Sequence, residues 1–220
     1  LGVITVINLF TFYRLIICNK VYSPGMGKLF ARFIFWLFGW TLDDHLKADF
    51  KRCVMIASPH TSNWDFIFAR AAFSMMGIPI RFTVKQEWTR FPFGWLMNGL
   101  GAIGIDRTPK KPGDPRPSMT EAMIDLFDKN KELVVMVTPE GTRKKVTKWK
   151  TGFYHVAVGA KVPIALGYLD YKNKIAGVGK IIYPTGDIQK DMQEITDFYR
   201  PIAPKHPELF SIDLDYDVKK

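Results

Sequence analysis

His60 and Asp65 stand five positions apart in the run Ser58-Pro59-His60-Thr61-Ser62-Asn63-Trp64-Asp65. A carboxylate on one imidazole nitrogen fixes the ring's tautomer and stabilises its charged form. The other nitrogen can then take a proton from a hydroxyl. A helix-capping aspartate beside an incidental surface histidine would show the same spacing, so the pair alone is ambiguous. A second polar run, Glu140-Gly141-Thr142-Arg143, is followed by Lys144, Lys145, Lys148 and Lys150. Gly141 permits a tight turn and close backbone approach. Arg143 offers a planar fork of donors suited to phosphate. A solvated basic loop reads the same way, and basic residues alone do not separate phosphate binding from attraction to an anionic membrane. Asp106 and Arg107 end a third short apolar run and add a guanidinium. Lys85 ends a fourth; it can serve the same site or simply lie on the surface.

Competing chemistries find little support. His45 precedes the first apolar run, His155 lies in a helical pattern and His206 near the end, and each reads as structural or solvated. No Cys/His/Asp cluster has metal-ligand spacing, and no G-x-S-x-G elbow of a serine hydrolase is present. Cys18 and Cys53 form no disulfide framework, which fits a reducing, cytoplasmic setting.

These residues need elements to hold them. Short apolar runs at 53–57, 80–84, 102–105, 133–137, 163–169 and 174–182 read as strands. Helical patterns lie between or after them at 64–76, 91–100, 118–129, 151–160 and 188–199. Ser118 and Glu121 have the spacing of a capping box. Residues 109–117 hold four prolines and read as a loop. The last twenty residues read as an irregular tail or a short helix. Strands alternating with helices predict an α/β fold: a mostly parallel sheet, mixed at an edge and flanked by helices. In such sheets ligands bind beyond the carboxyl ends of the strands. Parallel strands would therefore bring the loops after 57, 105 and 137 to one edge.

With 220 residues the chain can bury a core without disulfides or metal staples. Lys and Arg number 31 against 21 Asp and Glu, a balance that attracts nucleic acid, anionic membrane or phosphorylated ligands. No RNP-like, helix-turn-helix or zinc-finger pattern supports nucleic acid. The aromatic content of 14% fits a membrane interface. Residues 1–18 are apolar but lack a basic start and a cleavage site, so they do not read as a signal peptide. After a break at Ser23-Pro24-Gly25, residues 28–40 form an aromatic, apolar run whose only charges are Lys28 and Arg32. Two such helices predict an anchor lying in the membrane interface; a pair of core helices is the alternative. The division expected is an anchor at 1–40 and a catalytic domain at 41–220.

Four blocks in order resemble the glycerolipid acyltransferase family, which includes the 1-acylglycerol-3-phosphate acyltransferases. They are His60 to Asp65, Gly101-Ala102-Ile103-Gly104-Ile105-Asp106-Arg107, Glu140-Gly141-Thr142-Arg143 and Val162-Pro163-Ile164. Pro59 stands where many members have Asn, and Lys144 where many have Ser. The resemblance implies transfer of a fatty acyl group from an acyl-CoA or acyl carrier protein thioester to a lipid hydroxyl, with no cofactor or metal. His60 would be the base and Asp65 its partner. Arg107 and Arg143 would grip an acceptor phosphate, Glu140, Gly141 and Thr142 would shape the loop, and Lys85 would add charge. The expected acceptor is 1-acylglycerol-3-phosphate and the product phosphatidate, at the cytoplasmic face of a membrane. Backbone N–H groups at 61–63 are the expected oxyanion donors. An O-acyltransferase for a non-phosphate lipid such as an amino-acid lipid is the first alternative. A non-catalytic membrane-binding module is the second.

Overall fold

Residues 53–57 carry no charged or strongly polar side chain, and such a run is stable only when covered on both faces. The computed structural model places them at the middle of the sheet, and it describes residues 24–46, 51–85, 89, 94–95, 97, 101–105 and 117–212. Its elements run α1 (Pro24–Phe38), β1 (Thr41–Asp43), β2 (Arg52–Ala57), α2 (Trp64–Met76), β3 (Ile80–Lys85) and β4 (Ala102–Ile105). They continue with α3 (Met119–Lys129), β5 (Leu133–Val137), α4 (Gly152–Ala160), β6 (Ile164–Asp170), β7 (Ile175–Ile182) and α5 (Ile188–Tyr199), then a 3-10 turn at Pro207–Leu209. The strand order is β1-β7-β6-β2-β5-β3-β4. All neighbours pair parallel except β6 with β7. The expected α/β sheet, mostly parallel and flanked by helices, is therefore present. Its antiparallel step sits one strand inside the edge, because β1 pairs parallel to β7.

Period-two alternation sorts the side chains of β2. Val54 and Ile56 face α3, α4 and α5 in one core that includes Phe127, Trp149 and Met192. Cys53 and Met55 face the other way, in a cluster with Phe73 of α2 and Ala165. Val54, Met55 and Ile56 are wholly buried, each contributing about 1.5–3 kcal/mol by transfer from water. Outside α2 lies α1, which buries Ala31, Ile34 and Phe35 against Phe68, Ala71 and Ala72. Its other stripe, with Leu29, Phe33, Trp36 and Leu37, is exposed. No helix of the described residues is long and apolar enough to cross a membrane.

Some expectations need correction. α1 begins at Pro24, within the stretch read as a break. A proline in the first turn is tolerated because its missing N–H would have no helical partner there. β1 went unpredicted: three residues are too few for a pattern. Gly177 admits it, since a side chain there would stand 2.2 Å from the Asp43 carbonyl oxygen. Of the helix expected at 91–100, residues 94, 95 and 97 are described and helical; the proline-rich loop expected at 109–117 lies outside the described residues apart from Pro117, as do residues 1–23. The capping box is as expected: Ser118 Oγ accepts from the Glu121 N–H at 3.1 Å, and Glu121 Oε2 from the Ser118 N–H at 2.6 Å.

Candidate active site

β2 delivers the chain to the carboxyl edge of the sheet at Ala57, and α2 takes it back from Trp64. The loop between them crosses a cis Ser58–Pro59 peptide. It then folds so that His60 Nδ1 lies 3.1 Å from Asp65 Oδ2. The imidazole keeps 26% of its surface and the carboxylate 7%, so the pair is about a quarter in solvent at its ring and dry at its acid. With Nδ1 engaged, Nε2 is the ring nitrogen left for a substrate proton.

Asp65 is held on every side. Its Oδ2 also accepts the backbone N–H groups of Thr61 and Ser62, each at 2.9 Å. Its Oδ1 accepts the Tyr171 hydroxyl at 2.6 Å. Burial pushes the carboxyl's pKa up, but the hydrogen bonds from His60, Tyr171 and the Ser62 amide outweigh it and hold it below the usual range. It also lies in the first turn of α2, where the helix dipole favours negative charge. These contacts correct one expectation. The amides of Thr61 and Ser62 are spent on Asp65, so they are not oxyanion donors.

β5 runs parallel to β2 and brings Glu140 to the same edge. Glu140 is buried and ties the two loops together. Its Oε1 accepts the Ser58 hydroxyl at 2.7 Å and the His60 N–H at 3.2 Å. Its Oε2 is buried without a hydrogen-bond partner among the described residues. Burial raises this carboxyl's pKa, with the Ser58 and His60 bonds opposing. A carboxyl with a raised folded value favours folding at low pH and opposes it once the unfolded group, near 4.5, has ionised. Glu140→Gln should therefore gain Tm over wild type as pH climbs from about 4.5 to neutrality. Melting curves across that window check this; a constant difference would contradict it.

Gly141 takes φ 65°, donating its N–H to the Thr138 carbonyl at 3.0 Å. A methyl group in place of its hydrogen would sit 2.6 Å from Lys150 Nζ. Lys150 is thus folded across the loop and lines the cavity described below. Thr142 and Arg143 are exposed and do not line it. Lys85 closes β3 in register with Ile105 of β4, at the same sheet edge. Arg107 lies outside the described residues.

The cavity measures about 770 Å³, within the range of small-molecule sites. His60, Asp65, Pro139, Gly141 and Lys150 form its polar wall, while Phe66, Ala69, Phe73, Met123, Met136 and Phe153 make most of the rest apolar. One end can do proton transfer and the body can hold a hydrocarbon chain.

Sequence reasoning missed Ser58 and Tyr171. Tyr171 follows β6, which is parallel to β2, so the rule that strand ends carry the site would have flagged it. The C-terminal stretch also reaches the site. Ala203 accepts the Tyr171 N–H at 2.9 Å, the His206 N–H donates to Thr61 Oγ1 at 3.2 Å, and Lys205 Nζ sits 5.1 Å above the Trp64 ring. The remaining histidines are placed as expected. His45 pairs with Asp43 in solvent, His155 is exposed on α4, and His206 Nδ1 lies 3.4 Å from Glu208. Burial pushes the Cys53 thiol up to about 12, leaving it inert at neutral pH. Among the described residues no three His, Cys, Asp or Glu side chains are placed to hold a metal ion.

Residues 42–165 match the family model described as Acyltransferase. Two curated relatives, from Salmonella typhimurium (strain LT2) and Salmonella typhi, are each named 1-acyl-sn-glycerol-3-phosphate acyltransferase. Each is 29% identical over 155 residues, covering 66% of this chain and 59% of the relative. The chain thus spans 59% of the length of these relatives. The crystal structure of the 1-acyl-sn-glycerophosphate (LPA) acyltransferase PlsC from Thermotoga maritima superposes with a TM-score of 0.55 at 14% identity. It covers 89% of this chain and 86% of that one, a likeness of fold.

Proposed function

The chain belongs to the acyltransferase family, and on that premise we propose that it moves a fatty acyl group from an acyl-CoA or acyl carrier protein thioester to the free hydroxyl of a lysophospholipid, 1-acylglycerol-3-phosphate, giving phosphatidate. The observation that carries the proposal is the His60–Asp65 pair, 3.1 Å apart, on the polar wall of a largely apolar cavity.

His60 Nε2 removes the proton of the acceptor hydroxyl as that oxygen attacks the thioester carbonyl. Asp65 fixes the tautomer and balances the imidazolium that forms. The tetrahedral intermediate collapses by expelling the thiolate, which takes the proton back from His60. The steps balance without a cofactor, a metal or an acyl-enzyme. Lys150 at the cavity wall and the exposed Arg143 supply the cations for the acceptor's phosphate and for the anionic donor. Arg107 and Lys85 are proposed to add to them.

The deciding experiment is transfer of a labelled acyl group from both thioester donors to lysophosphatidate and to lysolipids without a phosphate. Product with lysophosphatidate supports the proposal and names the donor. Product only with a phosphate-free lipid hydroxyl keeps the mechanism and reassigns the acceptor; the absence of Arg143 from the cavity wall is what favours that second reading. No product from any pair would remove the enzymatic reading and leave a membrane-binding module.

We further propose that α1 is the interfacial anchor, on the cytoplasmic face of the membrane. Trp36 is 76% exposed and Leu29 65%, on a helix that also exposes Lys28 and Arg32. An apolar stripe beside cations suits an anionic lipid surface. Phe33→Ser with Trp36→Ser leaves the buried stripe untouched, so the fold should persist. Sedimentation with vesicles containing anionic lipid should drop several-fold, by about the loss expected for two buried aromatic side chains. Undiminished sedimentation would remove α1 from the anchor.

A further inference from the structure

We infer that Tyr171 is a positioning residue for the acyl transfer, acting on His60 through Asp65; the inference rests on the proposed function above. A carboxylate can turn about its last side-chain bond, and a turn at Asp65 would swing the oxygen that holds His60 Nδ1. Three donors converge on Oδ2: His60 Nδ1, the Thr61 amide and the Ser62 amide. All three come from residues within five positions of Asp65 itself, so none of them links the carboxylate directly to a distant element. Tyr171 supplies the donor on Oδ1, at 2.6 Å, from 106 residues away in the chain.

Its hydroxyl is itself placed rigidly. The ring stands edge-on to Trp40 with centroids 5.0 Å apart and to Phe68 at 6.1 Å, and Trp40 stacks on Phe68 at 4.5 Å. The backbone is pinned by the 2.9 Å bond from the Tyr171 N–H to the Ala203 carbonyl. The phenol stays protonated over any working pH, because burial and the Asp65 charge push its pKa far up. It is therefore a permanent donor. Tyr171 is not part of the cavity wall, and its hydroxyl reaches His60 only through Asp65. Short hydrogen bonds to a carboxylate are the stronger kind, and support of this sort for a reacting pair often carries a large share of the rate.

The test is Tyr171→Phe, which keeps the ring in its aromatic box and removes only the oxygen. The expected result is a fall in kcat of about tenfold with KM for both thioester and acceptor unchanged. Tyr154→Phe is the control. Tyr154 donates to the buried carboxylate of Asp191 at 2.8 Å, the same chemistry placed away from the cavity wall, so this variant should lose Tm and keep kcat. A Tyr171→Phe enzyme with wild-type kcat would overturn the inference. So would a rise in acceptor KM alone, which would mean substrate contact. So would loss of cooperative melting in Tyr171→Phe but not in Tyr154→Phe, which would make the hydroxyl a determinant of folding. His60→Ala, run alongside, separates the two failures. If it retains turnover, the proposed function is wrong. If it is inactive while Tyr171→Phe is normal, only the role of Tyr171 falls.

Discussion

His60→Ala is expected to lower kcat by roughly 10²–10⁴-fold while leaving fold and membrane binding intact. The imidazole is partly exposed and packs into no core cluster, so its removal opens no sealed cavity. On the proposed mechanism, what is lost is the acceptor for the hydroxyl proton. Thiols leave readily, and a bound thioester beside an alcohol still reacts slowly without a base, so a residual rate from positioning should remain. Single-turnover measurements at saturating donor and acceptor check the size of the drop, and circular dichroism checks the fold. A variant that keeps most of its turnover would require another base, and among the described residues no other histidine lines the cavity. That result would remove the His60–Asp65 mechanism.

Asp65→Asn should cost a similar factor, roughly 10²–10⁴ in kcat. An amide matches the carboxylate in shape, and its oxygen can still accept the Thr61 and Ser62 N–H groups. It carries no charge to balance the imidazolium, and its NH₂ group cannot accept the Tyr171 hydroxyl. Residues that act as one unit are strongly non-additive, so the His60→Ala, Asp65→Asn double variant should be little slower than His60→Ala alone. Additive losses would show that the two act separately. The substitution also has a stability signature. Asp65 is held below its ordinary value of 3.8, so its charged form stabilises the fold above that pH, and the contribution is lost as pH falls through the lower folded value. Asp65→Asn should have less of this acid-side loss, seen as a flatter dependence of Tm on pH below about 3.8.

Much of this molecule is legible without coordinates where the signal is local. The run at 53–57 reads as a buried strand because it has no polar position, and β2 covers it. The bounds of α2, β5 and α5 follow from apolar periodicity and from punctuation such as Gly77, which closes α2 in a left-handed conformation with φ 75°. The capping box at Ser118 needs only its own turn. His60 and Asp65 are near neighbours in sequence, so their contact too is a local matter of loop and first helical turn.

Other features depend on segments far apart. Glu140 reads as a residue that shapes its own loop, yet its oxygen reaches Ser58 and the His60 amide, across 82 and 80 residues. The sequence singles out Arg143 as the phosphate-binding cation and leaves Lys150 as one more charge in a basic string. In the structure Lys150 lies over Gly141 and lines the cavity, and Arg143 does not line it. The amides of Thr61 and Ser62 look free at a helix start until the carboxylate of Asp65 is seen to claim them.

The amino-acid sequence by itself determined most of the element types, the mostly parallel α/β class and the pairing of His60 with Asp65. Those follow from steric and hydrophobic rules that act over one or two turns of chain. Tertiary structure alone decided which groups complete the site: the Tyr171 hydroxyl on Asp65, Glu140 between the two loops, and Lys150 over Gly141. The parallel pairing of β5 and β6 on either side of β2 sets their carboxyl ends beside His60, and a hydrogen bond depends on that nearness in space, whatever the separation along the chain.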